Sequence, residues 1–381
     1  MRCAYFDDGA CGSCTLLRTP YAAQLAELDR QARATLAAVI PATPWSVPYA
    51  GPESGFRNKA KLAVGGRRGA PTLGILDAQG QGVDLQGCQL YEPGLAATLP
   101  ALAEHVAATG LTPYDVPTRT GELKGLIVTH SPDGELMVRF VLRSTGQLAK
   151  LRRSVPALRA ALPQARVVSA NLLPRHVALL EGDDEVILSE EQSLPMRLHH
   201  GDQAVTVHLR PGSFFQTNTV VATALYAQAR DWAATLGARS VWDLYCGAGG
   251  FALHLDGPAG PSVVGIEVSA EAVTAARHSA AHRPGLRFEV GDAAAYAREH
   301  PAPDLVVVNP PRRGIGAELA DQLEHAGPQH LLYSSCSVTS LAADLARMPS
   351  LRVQQARLFA MFPQTRHAEV LVLATRASRR R

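Results

Sequence analysis

The sequence predicts an α/β protein: a mostly parallel sheet covered by helices, with an antiparallel last strand, preceded by an α+β region. Three observations carry this. From about Val220, short Val/Ile/Leu-rich segments alternate with helix-length stretches, the pattern of parallel strands joined by crossover helices. The last two such segments are separated only by residues 360–368, too few for a crossover with a full helix, so they should pair antiparallel. Between Ser46 and about Phe215 the apolar pieces are instead broken by Gly and Pro, as in an antiparallel sheet with a few helices. The 381 residues suggest two or three domains, at ~100–200 residues each. With 46% hydrophobic and 19% charged residues, the composition excludes disorder, collagen-like sequence and a charge-driven tail protein.

Taken in order, the chain opens with Asp7 and Asp8 where a signal peptide would have its apolar core, and no apolar run approaches the ~20 residues of a membrane helix. A cytosolic protein without a membrane partner is expected, acting as a monomer. Four of six cysteines fall before residue 90: Cys3, Cys11, Cys14 and Cys88. In a reduced cytosol, C-x7-C-x2-C followed by a distant fourth reads as a metal or iron–sulfur site rather than disulfides. Four thiolates suit tetrahedral zinc and a [4Fe–4S] cluster equally. After Pro20, Leu25, Leu28, Ala32, Leu36 and Val39 recur at helical intervals until Pro41 and Pro44 stop the helix.

Arg57, Lys59 and Lys61 alternate with Asn58, Ala60 and Leu62, so strand period puts the cations on one face. Arg67 and Arg68, Arg152 and Arg153, Arg312 and Arg313, and the tail from Arg376 to Arg381 are further basic spots. Each alone reads as a solvated face, and a net charge of +3 adds little attraction for a polyanion. Strands are expected at 126–129, 136–142, 167–172 and 177–180, and helices at 93–110 and 148–162. The linear organisation is a cysteine-cluster region at 1–90, a central α+β region at 91–218 that should form one domain with part of 1–90, and the α/β domain at 219–381.

Within that domain, strands are expected at 241–245, 263–266, 286–290, 305–308, 331–334, 353–359 and 369–374. The first runs through Asp243 into Gly247-Ala248-Gly249-Gly250, glycines where a backbone must approach a ligand closely. Glu267 ends the second strand, where a carboxylate can accept both ribose hydroxyls of a nucleoside. Asp292 ends the third, placed to meet an adenine edge. A dinucleotide dehydrogenase shares much of this pattern but is normally apolar where Asp243 stands, so S-adenosylmethionine (SAM) is favoured over NAD.

Asn309-Pro310-Pro311-Arg312-Arg313-Gly314 ends the fourth strand and Ser334-Ser335-Cys336 the fifth, so a lone thiol shares the cofactor edge. A thiol beside a methyl donor solves one particular problem. Carbon 5 of a pyrimidine becomes nucleophilic only when a thiolate adds to carbon 6, and a base must afterwards remove the C5 proton. Cys336 supplies the thiol, and Glu369 is the candidate base. His367 competes for that role, though a structural histidine beside a sheet end is its simpler reading.

The segments Ser213 to Asn218, Asp243 to Phe251, Val308 to Gly314, Tyr333 to Cys336 and Phe362 to Glu369 resemble the RNA 5-methyluridine methyltransferases, over nearly the whole chain. The resemblance implies a class I (Rossmann-like) methyltransferase sheet. It implies that Gln216, Tyr245, Glu267 and Asn309 hold SAM, that Cys336 attacks C6 and that Glu369 takes the C5 proton. The four cysteines are similar to the [4Fe–4S] ligands of the ribosomal branch, which favours iron–sulfur over zinc. The chain starts directly at the cysteines, leaving no room for the small RNA-binding barrel of one ribosomal subgroup. Gly55 to Lys61 is similar to the shorter subgroup, which implies a hairpin-loop uridine of 23S ribosomal RNA as substrate and RNA contacts from the central region. Two rivals stand against this. Asn309-Pro310-Pro311 resembles the motif of amino-methylating enzymes, but Arg312 stands where their stacking aromatic would be. A noncatalytic RNA-binding iron–sulfur protein would not need the donor and nucleophile motifs.

Overall fold

The structure is a computed structural model describing residues 1–41, 43–177, 179–257 and 260–377, so most of the basic tail lies outside the described residues. The chain forms two compact units, Met1–Cys14 with Glu53–Arg197 and Thr15–Pro52 with Leu198–Arg381.

The first unit holds a seven-stranded sheet: β1 (Lys59–Arg67), β2 (Ala70–Leu76), β3 (Gly82–Asp84), β4 (Leu123–His130), β5 (Leu136–Leu142), β6 (Ala165–Leu172) and β7 (Asp184–Ile187), in spatial order β3-β2-β1-β4-β5-β6-β7. Burial alternates in β1 as strand period requires: Asn58, Ala60 and Leu62 are buried, while Arg57, Lys59 and Lys61 take the other face. Leu62, Leu126, Val138 and Phe140 form one core with Leu102 and Val106 of the helix Leu99–Thr109 and with Leu151 and Leu158 of the helix Leu148–Ala161.

Three expectations for this unit change. The sheet is mixed, because the helix Leu148–Ala161 carries the chain between β5 and β6 and they pair parallel. The helix expected at 93–110 is two, Pro93–Ala96 and Leu99–Thr109, and Pro100 is tolerated only in the first turn of the second. Of the strand expected at 177–180, the described residues Val177, Leu179 and Leu180 lie in no strand. Val177 and Leu180 are exposed, with Ala178 outside the described residues. The Asn171 side chain instead brackets Gly182, accepting from its N–H and donating to its C=O, and the chain re-enters the sheet as β7.

A hairpin of β8 (Leu194–His200) and β9 (Gln203–Leu209) begins in the first unit and ends in the second. The second unit's sheet comprises β10 (Ser240–Leu244), β11 (Ser262–Glu267), β12 (Leu286–Val290), β13 (Leu305–Val308), β14 (His330–Ser335), β15 (Leu351–Phe362) and β16 (His367–Arg376), ordered β12-β11-β10-β13-β14-β16-β15. The first five run parallel, and β16 lies antiparallel between β14 and β15, as the short link demands. Strand order reverses between β10 and β13, which opens a crevice at their carboxyl ends.

Within the stretch 1–90, residues 15–52 group with the second unit and the remainder with the central region. The helix Tyr21–Leu36 buries Ala32 and Leu36 in one core with Trp242, Val308, Tyr333 and Leu358. Its Gln24 also clasps the link before β16: Gln24 Nε2 donates to Gln364 Oε1 at 2.9 Å, and the Gln364 N–H donates to Gln24 Oε1 at 3.1 Å. No helix among the described residues is long and apolar enough to cross a membrane.

Candidate active site

The crevice is built from strand ends. Asp243 in β10 is fully buried, and its Oδ2 accepts from the Ala252 N–H at 2.9 Å, tying the strand to the helix Gly250–Leu255. Burial pushes its carboxyl up to about 7. Between strand and helix the backbone turns through left-handed conformations at Tyr245 (φ 63°), Gly247 (φ 54°) and Gly249 (φ 87°). A Cβ on Gly249 would lie 2.9 Å from the Phe288 ring, so the turn is pressed against its neighbour. Glu267, ending β11, faces this turn: Oε2 accepts from Gly247 N–H at 3.2 Å and Oε1 from Ser269 N–H at 2.9 Å.

Asp292 follows β12 and caps the helix Ala293–Glu299, its Oδ1 accepting from Ala294 and Ala295 N–H at 3.0 Å each. Asn309 follows β13 and is half-buried. Tyr245, Gly247, Glu267, Asp292 and Asn309 therefore stand at successive strand ends. Gln216 comes from a different element, the buried stretch before the helix Thr219–Ala234. After Asn309 the loop is braced from below, where Asp344 accepts from Ile315 N–H at 3.0 Å and from the Tyr333 hydroxyl at 2.6 Å. Gly314 (φ 83°) is required there, since a Cβ would approach Asp344 Oδ2 to 2.3 Å.

The thiol and carboxylate meet through strand register. β14 and β16 pair Ser334 with Leu371 and Ser335 with Val370. One step further sets Cys336 opposite Glu369, and strand alternation puts Ser334 on the same face. Glu369 is 1% exposed, and the Ser334 hydroxyl donates to its Oε1 at 2.5 Å. Burial pushes Glu369 up to about 7 against the pull of that hydrogen bond. The Cys336 thiol is raised first by burial and then by the charge of Glu369, while the Arg312 guanidinium opposes both through its charge and a hydrogen bond. A cavity of about 310 Å³ opens on Cys336, lined by Arg312, Arg366, His367 and, from the helix Tyr21–Leu36, Gln31 and Thr35. His367 is exposed and its imidazole is held below its usual range by partial burial and by Arg312.

Sequence reasoning missed three contributors. Ser334 was legible, two residues before Cys336 and hence on its face of the strand. Arg312 as a partner of Cys336 and the helix Tyr21–Leu36 as a wall of the cavity depend on long-range packing that no local pattern signals.

In the first unit Cys14 is buried and Cys3, Cys11 and Cys88 are half-buried. The Cys14 thiol is pushed up to about 11, chiefly by burial and then by Cys88, Cys11 and Cys3. Cys88 is raised by burial, with Cys3 and Cys11 adding to it. Cys14 and Cys88 thus each feel the neighbouring cysteines. Among the described residues no group of three or more His, Cys, Asp or Glu is arranged as a metal site.

Comparison with known proteins agrees with this fold. Residues 241–327 match a family model described as a methyltransferase domain, and residues 295–377 one described as tRNA (Uracil-5-)-methyltransferase. The 23S rRNA (uracil(747)-C(5))-methyltransferase RlmC of Cronobacter sakazakii is 46% identical over 381 residues, covering 99% of this chain and 100% of the relative. The RlmC of Edwardsiella ictaluri is 46% identical with the same coverage of both chains. The crystal structure of Pyrococcus abyssi tRNA (uracil-54, C5)-methyltransferase in complex with S-adenosyl-L-homocysteine covers 95% of this chain and 85% of its own, with a TM-score of 0.78 at 22% identity, and so shares the class I methyltransferase fold. With identity of this level running from end to end, the chain belongs to the family of 23S rRNA uracil-C5 methyltransferases.

Proposed function

We propose that the protein methylates carbon 5 of a uridine in 23S rRNA through a covalent adduct between Cys336 and carbon 6. The observation that carries the reading is that Cys336 follows β14 one step beyond the Ser335–Val370 pair, where the charge of Glu369 in β16 raises its thiol, at the carboxyl-end edge that also bears Tyr245, Glu267 and Asn309. SAM supplies an electrophilic methyl group. Residues that fit it are the close-approach turn at Gly247, the Glu267 carboxylate for the ribose hydroxyls, Asp292 for the adenine edge, and Gln216, Tyr245 and Asn309 around the rest of the molecule.

The Cys336 thiolate adds to C6, and the C5=C6 electron pair moves toward O4 as an enolate, which makes C5 nucleophilic toward that methyl group. Glu369 then takes the C5 proton, the C5=C6 bond re-forms and the C6–Sγ bond breaks to return the thiolate. A base must hold no proton when it acts, and a carboxylate raised to about 7 is a stronger acceptor than an ordinary glutamate. Arg312 lowers the cost of the Cys336 thiolate.

In this reading Cys3, Cys11, Cys14 and Cys88 would hold a [4Fe–4S] cluster: the Cys14 and Cys88 thiols are raised by burial and by neighbouring cysteines, a cost that a bound cationic centre would relieve. No step of the transfer passes through it. Residues 91–218 provide RNA contacts in this reading, and the protein works as a monomer in the cytosol. The relatives are named for uracil 747, a position to test here. Mapping 5-methyluridine in 23S rRNA from cells with and without the protein should show one such residue lost with it. An unchanged map, or loss of an N-methylated base instead, contradicts the reading.

A further inference from the structure

We infer that Ser334 is a positioning residue for proton removal: its hydroxyl fixes Glu369 by one carboxylate oxygen and leaves the other free for the C5 proton. The inference rests on the reading of Glu369 as the base. Ser334 is 0% and Glu369 1% exposed, and the 2.5 Å contact runs from Ser334 Oγ to Glu369 Oε1. A hydroxyl-to-carboxylate bond of that length is at the short, strong end of its class. The two side chains lie diagonally across the β14–β16 pair on the face that carries Cys336, so the hydrogen bond fixes the carboxylate relative to the strand that delivers the thiol.

The other titratable groups facing Glu369 are Cys336 and, from the helix Thr219–Ala234, Tyr226, and its charge raises both of them. Neither is a cation. The Ser334 hydroxyl is therefore the influence that favours ionised Glu369 against burial. In the resolving step the free Oε2 accepts the C5 proton, the C–H electron pair becomes the C5=C6 bond, and the C6–Sγ pair leaves with sulfur. Ser334 keeps its own proton throughout.

The test is a single-turnover assay of the full-length protein on an rRNA hairpin with methyl-labelled SAM, following methyl transfer and adduct resolution separately across pH. Ser334→Ala should transfer the methyl group at the parent rate but resolve the labelled adduct about tenfold more slowly near neutral pH. Its acidic limb should move to higher pH, because removing a donor to the ionised form raises Glu369 further. Ser334→Thr, which keeps a hydroxyl, should restore the parent rate and limb. The inference is overturned if Ser334→Ala resolves the adduct at the parent rate with its limb unmoved, or if Ser334→Ala and Ser334→Thr are slowed equally at every pH. Glu369→Gln run alongside separates the two levels. If it stalls as a labelled adduct while Ser334→Ala is normal, only the role of Ser334 fails; if it turns over normally, the base assignment itself fails.

Discussion

The proposed mechanism asks Cys336 to ionise where ionisation is opposed: burial and the nearby Glu369 both raise its thiol, and among the opposing influences Arg312 comes first. Arg312→Ala should therefore slow adduct formation about tenfold at neutral pH, with most of the loss recovered on raising the pH, as read from the adduct band at two pH values. Unchanged formation at neutral pH would show that the guanidinium does not tune the thiol. Glu267 bridges the Gly247 and Ser269 amides and should clamp the ribose; Glu267→Ala is expected to weaken SAM binding by roughly 1–3 kcal/mol in calorimetry. Glu369 also leaves a mark on stability. Its carboxyl is raised from 4.5 to about 7 in the folded state, so the stability tied to its protonated form is present at acid pH and lost as pH rises through about 7. Glu369→Gln removes that titration. The melting temperature of the parent relative to this variant should fall between about pH 5 and about pH 8.

Among the elements, the helix Tyr21–Leu36 joins the catalytic sheet from a distant part of the sequence. Leu36 is fully buried in that core, and Leu36→Ala should cost about 2–5 kcal/mol in urea unfolding. Because Gln31 and Thr35 on the same helix line the cavity at Cys336, methylation should fall as well. The strands of the second unit were legible because parallel strands buried on both faces are written as nearly unbroken apolar runs, as in Leu305–Val308. The helix Tyr21–Leu36 was legible as a helix but not in its place, since an amphipathic stripe does not say which core receives it. Val177, Leu179 and Leu180 have the apolar character of a strand yet belong to none among the described residues. Asn171 and Gly182 decide where the chain rejoins the sheet, through side-chain contacts that an apolar pattern does not encode.

For the whole molecule, the proposed pair of Cys336 and Glu369 could be named from the sequence because chemistry restricts it: a lone thiol and an acid at neighbouring strand ends have few joint uses beside a methyl donor. The cysteines are a different case. Their spacing suits zinc and iron–sulfur alike, and it is the family that favours the latter. Anaerobically purified protein should be brown with about four irons per chain, and Cys14→Ser should lose them; stoichiometric zinc without iron or sulfide would contradict the assignment. The central claim, that methylation runs through a Cys336–C6 bond resolved by Glu369, is tested most directly on a denaturing gel with 23S rRNA hairpin substrate and methyl-labelled SAM. Glu369→Gln should accumulate a labelled protein–RNA band and Cys336→Ala should form none. A normal turnover by Glu369→Gln, or an adduct from Cys336→Ala, would contradict the account.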